Sequence, residues 1–494
     1  HTGGVGVGGS NPLVPTNFTA KPYRKALAAA ARYCPARGNQ RATPRVCDGY
    51  APLASLGRTL GQPPFGSRLP HEGPATRDGG AMTRVSEPSV TQHRDLRTGR
   101  PIWLRHRRLP LAIKELARSL RCDVVIVGAG ISGALIAETL SDAGLDVVVV
   151  DRRGPAAGST AASTAMLQYE IDLPLSQMAG RIGTERATRI WRRSRLAVDA
   201  LRERTERLGL VVSAATRSTL YLDGNILDPA ALAVEANVRR KAGFEVEYIG
   251  PAEVERRYGI GRRHAIVGYG NYSADPRRLA AAYLQVAQQH GMRLYAPAEV
   301  IGVESDDSGV QLQIDGGATI SAAHAIFATG YEMLKGIPKK GNYIMSTWSI
   351  ATRPQPQRIW RDAAMIWEAS DPYLYIRTTP DGCVICGGED EDISDATARD
   401  AKIADKAKTL ARKLGALLPA IDPTPAYAWA GSFGNSPLGI PTVGRIPRMP
   451  NCYAAMGYGG NGITFSMMAA QILRSAICGD RDPDADLFSF HRSF

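Results

Sequence analysis

Residues 122–151 read CDVVIVGAGISGALIAETLSDAGLDVVVVD, and their reading decides the fold. Asp123–Val127 is a short β-branched run of the kind a buried parallel strand needs. Gly128-Ala129-Gly130-Ile131-Ser132-Gly133 follows without a gap. Ile131–Ala143 then sets Leu135, Ile136 and Leu140 on one side of a helix, which Gly144 ends. Val147–Val150 is a second buried strand, closed by Asp151. Gly128 permits a tight turn, Gly130 lets a pyrophosphate approach the backbone, and Gly133 lets helix and strand pack closely. The helix N-terminus offers N–H groups and the positive end of its dipole to phosphates. Asp151 stands where a carboxylate can accept hydrogen bonds from a ribose diol. A lone G-x-G-x-x-G is a weak signal; a strand before it, a helix after it and an acid ending the next strand are the confirming context. The stretch therefore predicts a dinucleotide bound to an α/β, Rossmann-type domain.

The 494 residues suffice for two or three domains with sizeable cores. The net charge of +13 could suggest a nucleic-acid or membrane partner. Its distribution argues otherwise. Residues 1–121 carry 20 Lys and Arg against 6 Asp and Glu, whereas the remainder carries 40 against 41. The excess reads as a solvated lead segment, with no nucleic-acid partner. Seven Cys in this length do not make a disulfide framework. Cys383 and Cys386 stand three apart in a strand-like run, so they point to opposite faces and read as packing thiols. No apolar run approaches the roughly 20 residues of a membrane span. No basic-then-apolar leader opens the chain, so a cytoplasmic location is expected. The eight His show no metal-ligand spacing, and no metal is expected.

Residues 1–95 are rich in Gly, Pro and Arg and read as a disordered extension, with one short helix possible at Lys21–Tyr33. Gly9-Ser10-Asn11-Pro12 can be encoded by a run like the T-arm of a tRNA gene, which gives the expectation that the protein starts at Met82. Residues 96–121 read as a lead-in, with a helix over Leu111–Leu120. After Asp151 and Arg152 comes a stretch of small and hydroxylated residues with Ser159, Thr160, Ser163 and Thr164. It suits contact with a flat ligand, and equally a loop entering a helix cap. Arg181–Leu210 reads as one amphipathic helix. Further helices are expected at Pro229–Ala242, Ala252–Tyr258 and Asp275–His290. From Arg293 a strand and meander lead to Ala325–Ala328 and the Thr329-Gly330 turn. Tyr373–Thr378 and Val384–Gly387 form a hairpin through Pro380-Asp381-Gly382, with Tyr373, Tyr375 and Arg377 on one face. That face could line a pocket or lie exposed. A last strand, Cys452–Met456, runs through Gly457–Gly462 into a helix, a second strand–glycine–helix anion site.

Jointly DVVIVGAGISG, Asp151, GSTAAST, HAIFATG, YLYIRTTPDGCVICGGED and MGYGGNGITFS resemble the D-amino-acid-oxidase superfamily of FAD-dependent oxidoreductases. The likeness is nearest to its glycine, sarcosine and γ-glutamylputrescine oxidases. It implies non-covalent FAD, because tethering Cys or His residues are absent at the family's positions. Gly128, Gly130 and Gly133, with Ile131 and Ser132, would hold the pyrophosphate. Asp151, with Arg152 beside it, would hold the ribose, and Val300 would meet adenine through its backbone. Ser159, Thr160, Ser163 and Thr164, with Thr329 and Gly330, would follow the ribityl chain and flavin. Gly459, Gly460, Asn461, Gly462, Ile463 and Thr464 would set a helix N-terminus beside the flavin's pyrimidine edge.

The implied division is an FAD-binding domain of 122–168, 291–336 and 432–478, a discontinuous α+β substrate domain of 169–290 and 337–431, and a tail from 479. The implied chemistry is oxidation of an amine or amino acid, with oxygen or an electron carrier as final acceptor. Ser432 and Phe433 stand where amino-acid oxidases of this group carry a carboxylate-binding Arg. That leaves Arg377 as the candidate clamp and Tyr373 and Tyr375 as positioning groups. A 2-hydroxy-acid or glycerol-phosphate-type dehydrogenase and a non-catalytic flavoprotein are the alternatives.

Overall fold

Leu120–Val127 is the strand on which the first sheet is built. It runs parallel to Val147–Val150 on one side and to Thr319–Gly330 on the other. Val147–Val150 is parallel in turn to Arg293–Tyr295, which completes the Rossmann unit. The two apolar runs are unbroken because both faces are covered. Val124, Ile126, Val147 and Val149 pack with the helices, while Val125, Val127, Val148 and Val150 pack with the meander Val300–Asp306, Gly309–Ile314 and Thr319–Gly330. The strand Cys452–Met456 lies parallel to Thr319–Gly330 and feeds the helix Gly462–Cys478.

This computed structural model describes residues 83–86, 89–107, 110–337 and 341–492. The chain divides into two units, His1–Thr76 and Arg77–Phe494, and the described residues all belong to the second. The expectations for Lys21–Tyr33 and for a start at Met82 lie outside them.

The second sheet runs Arg97–Gly99, Pro425–Asn435, Tyr343–Thr352, Val384–Glu391, Leu374–Thr378, Met365–Glu368, Ala215–Leu222, Ala265–Ser273 and Met166–Leu167. It is antiparallel except where Met365–Glu368 meets Ala215–Leu222. The expected hairpin is present, with Tyr375 opposite Gly387.

Several local expectations fail for identifiable reasons. Leu111–Leu120 is not a helix: Ile113–Lys114 is a short strand beside Arg293–Tyr295, and Leu120 already pairs with Ile320. The long helix is split at Gly183, whose φ of +87° interrupts it between Leu175–Ile182 and Thr184–Arg207. Ala265–Ser273, for which the sequence reading gave no element, is a strand that pairs with three others. The stretch before residue 96 is not wholly loose. Thr83–Ser86 pairs with Val300–Asp306, and Val90 is fully buried. Residues after 479 are not a free tail, because Leu487, Phe488 and Phe490 insert into the core. Among the described residues, no helix is long and apolar enough to cross a membrane.

Candidate cofactor and substrate cavity

The carboxyl ends of the parallel strands open onto one elongated cavity. Gly128, Gly130, Ile131, Ser132, Asp151, Arg152 and Val300 line one end. Gly128 has φ +112°, and a Cβ there would lie 2.5 Å from the Ala328 carbonyl oxygen. A Cβ on Gly133 would lie 1.8 Å from the Gly128 oxygen. Gly133 therefore permits the helix–strand contact but does not line the cavity, so its expected place at the pyrophosphate is corrected to packing. The Asp151 carboxylate accepts hydrogen bonds from Ala129 N at 2.8 Å, Arg153 N at 2.8 Å and Gly154 N at 2.7 Å. It braces the turn it was expected to serve. Arg152 and Arg153 both pair with the buried Glu332. The Val300 carbonyl accepts from Val90 N.

The second glycine cluster reaches the same place. Gly459, Gly460, Asn461, Gly462 and Ile463 line the cavity. The hydroxyls of Ser132 and Ser466 stand 2.7 Å apart, joining the first turns of the two helices. Thr464 does not line the cavity: it is buried and donates to Gln168 O at 3.0 Å. Asn461 donates to Glu170 O and Gly460 N to Asp172 Oδ2 at 3.0 Å.

Between the glycine clusters, Ser159, Thr160, Ser163, Thr164, Thr329 and Gly330 line the wall. Thr160 Oγ1 accepts from Ile131 N at 3.1 Å. Four consecutive carbonyls of this loop are held from behind. Trp429 donates to Ala162 O, Trp103 to Ser163 O, and Arg377 to Thr164 O and Ala165 O. This overturns Arg377 as a carboxylate clamp. Its guanidinium is buried and outside the cavity lining, and its Nε and Nη1 also donate to Thr378 O and Ala274 O. Strand alternation put Arg377 on the face of Tyr375 correctly, but two residues along the strand carries it behind the loop.

The far end is made of side chains. Tyr373 donates to Asp390 Oδ2 at 2.9 Å, and Tyr375 and Thr347 share a hydrogen bond of 2.8 Å. The two tyrosine rings lie 5.6 Å apart. Glycine makes room for them: a Cβ on Gly387 would strike the Tyr375 ring at 2.3 Å, and one on Gly388 would meet the Tyr373 carbonyl at 2.0 Å. Trp367, Tyr331 and Asp172 complete this end. Burial pushes the Asp390 carboxyl up to about 6, and nearby Asp172 adds to the rise. Asp172 is an exposed residue of the cavity lining, and the protein packed around its carboxyl raises it too.

Sequence reading missed Gln168, Asp172, Glu332, Trp367 and Asp390, all of which line the cavity. Asp390 was within reach, since the hairpin carries it back past Tyr373. The others had no local pattern to mark them. Among the described residues, no Cys or His lines the cavity, and no cluster of His, Cys, Asp and Glu could hold a metal.

The model of the DAO family, described as FAD dependent oxidoreductase, matches residues 123–476. The chain belongs to this family. A curated relative is the tRNA 5-methylaminomethyl-2-thiouridine biosynthesis bifunctional protein MnmC of Cupriavidus necator, 24% identical over 78% of this chain and 62% of that protein. The chain thus spans less than two thirds of that relative. The γ-glutamylputrescine oxidoreductase of Escherichia coli is 22% identical over 74% of this chain and 86% of its own length. Glycine oxidase from Geobacillus kaustophilus has the same fold, with a TM-score of 0.64 and 22% identity over 76% of this chain and 99% of that one. The protein is accordingly an FAD-dependent oxidoreductase of the DAO family. Its cavity fits that cofactor: one end is a backbone cradle lined by Gly128 and Gly130, its turn held close to the neighbouring strand because Gly128 carries no Cβ, and two helix N-termini meet along its length.

Proposed function

We propose that this FAD-dependent oxidoreductase oxidises the C–N bond of a small amine or amino acid. The observation that carries the reading is the union, in one cavity, of two helix N-termini with a tyrosine-lined far end. FAD bound here supplies the acceptor for a hydride leaving the carbon beside the substrate nitrogen. The nitrogen lone pair then closes the C=N bond, its N–H proton passes to water, and water hydrolyses the imine.

The chain's part is binding and alignment. Gly128, Gly130, Ile131 and Ser132 take the pyrophosphate, and Asp151 takes the adenosine ribose. Val300 flanks the adenine. The wall from Ser159 to Thr164, with Thr329 and Gly330, takes the ribityl chain and ring. Gly459 to Ile463 bring the dipole of the C-terminal helix to the ring's pyrimidine edge, where it favours negative charge. Tyr373, Tyr375 and Trp367 wall the substrate against bulk water. An amine that enters as its ammonium gives one N–H proton to water before the hydride leaves, and once neutral it needs no side-chain base. The near-neutral charge of residues 122–494 supports a small molecule over a tRNA.

The test is an anaerobic titration of the FAD-loaded protein while flavin absorbance is followed. Bleaching by amines and not by 2-hydroxy acids is expected. Bleaching only by hydroxy acids or glycerol phosphate selects the dehydrogenase alternative, and no bleaching by any of them selects a non-catalytic flavoprotein. Reoxidation by oxygen or by an artificial electron carrier then separates oxidase from dehydrogenase.

A further inference from the structure

Resting on that reading, we propose that the far end of the cavity selects an organic ammonium: an aliphatic amine with no carboxylate beside the reacting carbon. The argument starts from charge. Among the described residues lining the cavity, the basic ones are Arg152 and Arg153, and both belong to the Glu332 cluster at the nucleotide end. Arg377, the one cation expected to receive a carboxylate, lies outside the cavity lining and donates to backbone carbonyls behind the loop. The far end holds two carboxylates instead, Asp172 and Asp390.

Two buried acceptors in the cavity lining, one of them on Asp390 itself, lack a partner among the described residues. Gln168 is only 5% exposed, lines the cavity, and its Oε1 accepts no hydrogen bond among the described residues. Asp390 Oδ1 is likewise buried without one. A buried acceptor left unpaired is unfavourable until a donor reaches it. An ammonium presents three donors and no acceptor, and it supplies what both oxygens lack. The walls suit it as well. The paired Tyr373 and Tyr375 rings offer aromatic faces, which attract a desolvated cation. Lys406, the cation nearest Asp390, lies outside the cavity lining and pairs with Glu391 at 2.7 Å. An α-amino acid would bring its carboxylate beside these acids with no cation to meet it, a like-charge juxtaposition that costs affinity.

The experiment uses the FAD-loaded full chain and matched ligands. Butylamine and 1,4-diaminobutane are titrated against norvaline and ornithine, which carry the same side arms plus an α-carboxylate. Dissociation constants are read from the perturbation of the oxidised flavin spectrum and, where turnover occurs, from anaerobic bleaching. The carboxylate-free amines should bind at least about tenfold more tightly. Asp390→Asn and Asp172→Asn should each weaken butylamine binding by a similar factor without weakening norvaline. Equal or tighter binding of the amino acids overturns the inference, and so does unchanged butylamine binding in both variants that retain FAD. The spectral readout does not require turnover. Amines that bind but never bleach the flavin would remove the proposed oxidation and leave the ammonium preference standing. Amino acids that bleach better than amines would do the reverse.

Discussion

The two ends of the cavity are built from different materials. The nucleotide end is backbone: glycines, helix N-termini and a loop whose carbonyls are tied away from the ligand. The substrate end is side chain: two tyrosines, a tryptophan and two carboxylates brought in by separate segments. Backbone geometry tolerates almost no substitution, whereas a side-chain wall can be re-lined one residue at a time. The first end suits a cofactor that stays the same, and the second suits substrates that differ between relatives.

Four changes probe that contrast. Gly133→Ala should have the largest effect, because a methyl group 1.8 Å from the Gly128 oxygen forces the helix off the strand. Overpacking of this kind costs roughly 1–3 kcal/mol or more. The protein should purify without flavin absorbance, and a yellow, thermally unchanged variant would contradict the close-packing role. Arg377→Met comes next. It strands buried carbonyls at Thr164, Ala165 and Ala274, a loss of about 2–4 kcal/mol in urea unfolding. FAD affinity should fall with it, while amine binding at saturating FAD changes less than about threefold. A selective loss of amino-acid binding would restore Arg377 as a clamp.

The third change is in pH. Burial holds the Asp390 carboxyl at about 6, so it is charged above that value and neutral below it. Butylamine should bind more weakly as pH falls through about 6, and Asp390→Asn should flatten that limb of the profile. Tyr373→Phe is the smallest. It removes a side-chain donor to Asp390 Oδ2, which moves the same pH midpoint upward and weakens amine binding a few-fold. A midpoint that stays put would mean that the hydroxyl does not support the carboxylate.

The contrast also explains what could be read from the sequence. The nucleotide end lies in contiguous motifs, because a turn, a helix start and a strand end are neighbours in the chain. Gly128, Gly130, Asp151 and the cluster from Gly459 to Ile463 all stand at the cavity for that reason. Gly133 and Thr464 sit one helical step too far, packed inward rather than facing it. The substrate end has no such contiguity. Gln168 and Asp172 come from one connection, Trp367 from one strand and Asp390 from another. Their meeting depends on sheet order, and neither Ala265–Ser273 nor its pairing with Ala215–Leu222 was anticipated. Arg377 shows the limit of alternation: the face was right, but facing does not say how far along the strand a pocket ends.

The loop from Ala162 to Ala165 hangs between the two sheets. Its front lines the cavity, and its back is gripped by Trp429, Trp103 and Arg377. Trp429 and Arg377 both sit on the antiparallel sheet. The Rossmann portion expressed as an isolated fragment would therefore lack the scaffold that shapes this wall of the cavity.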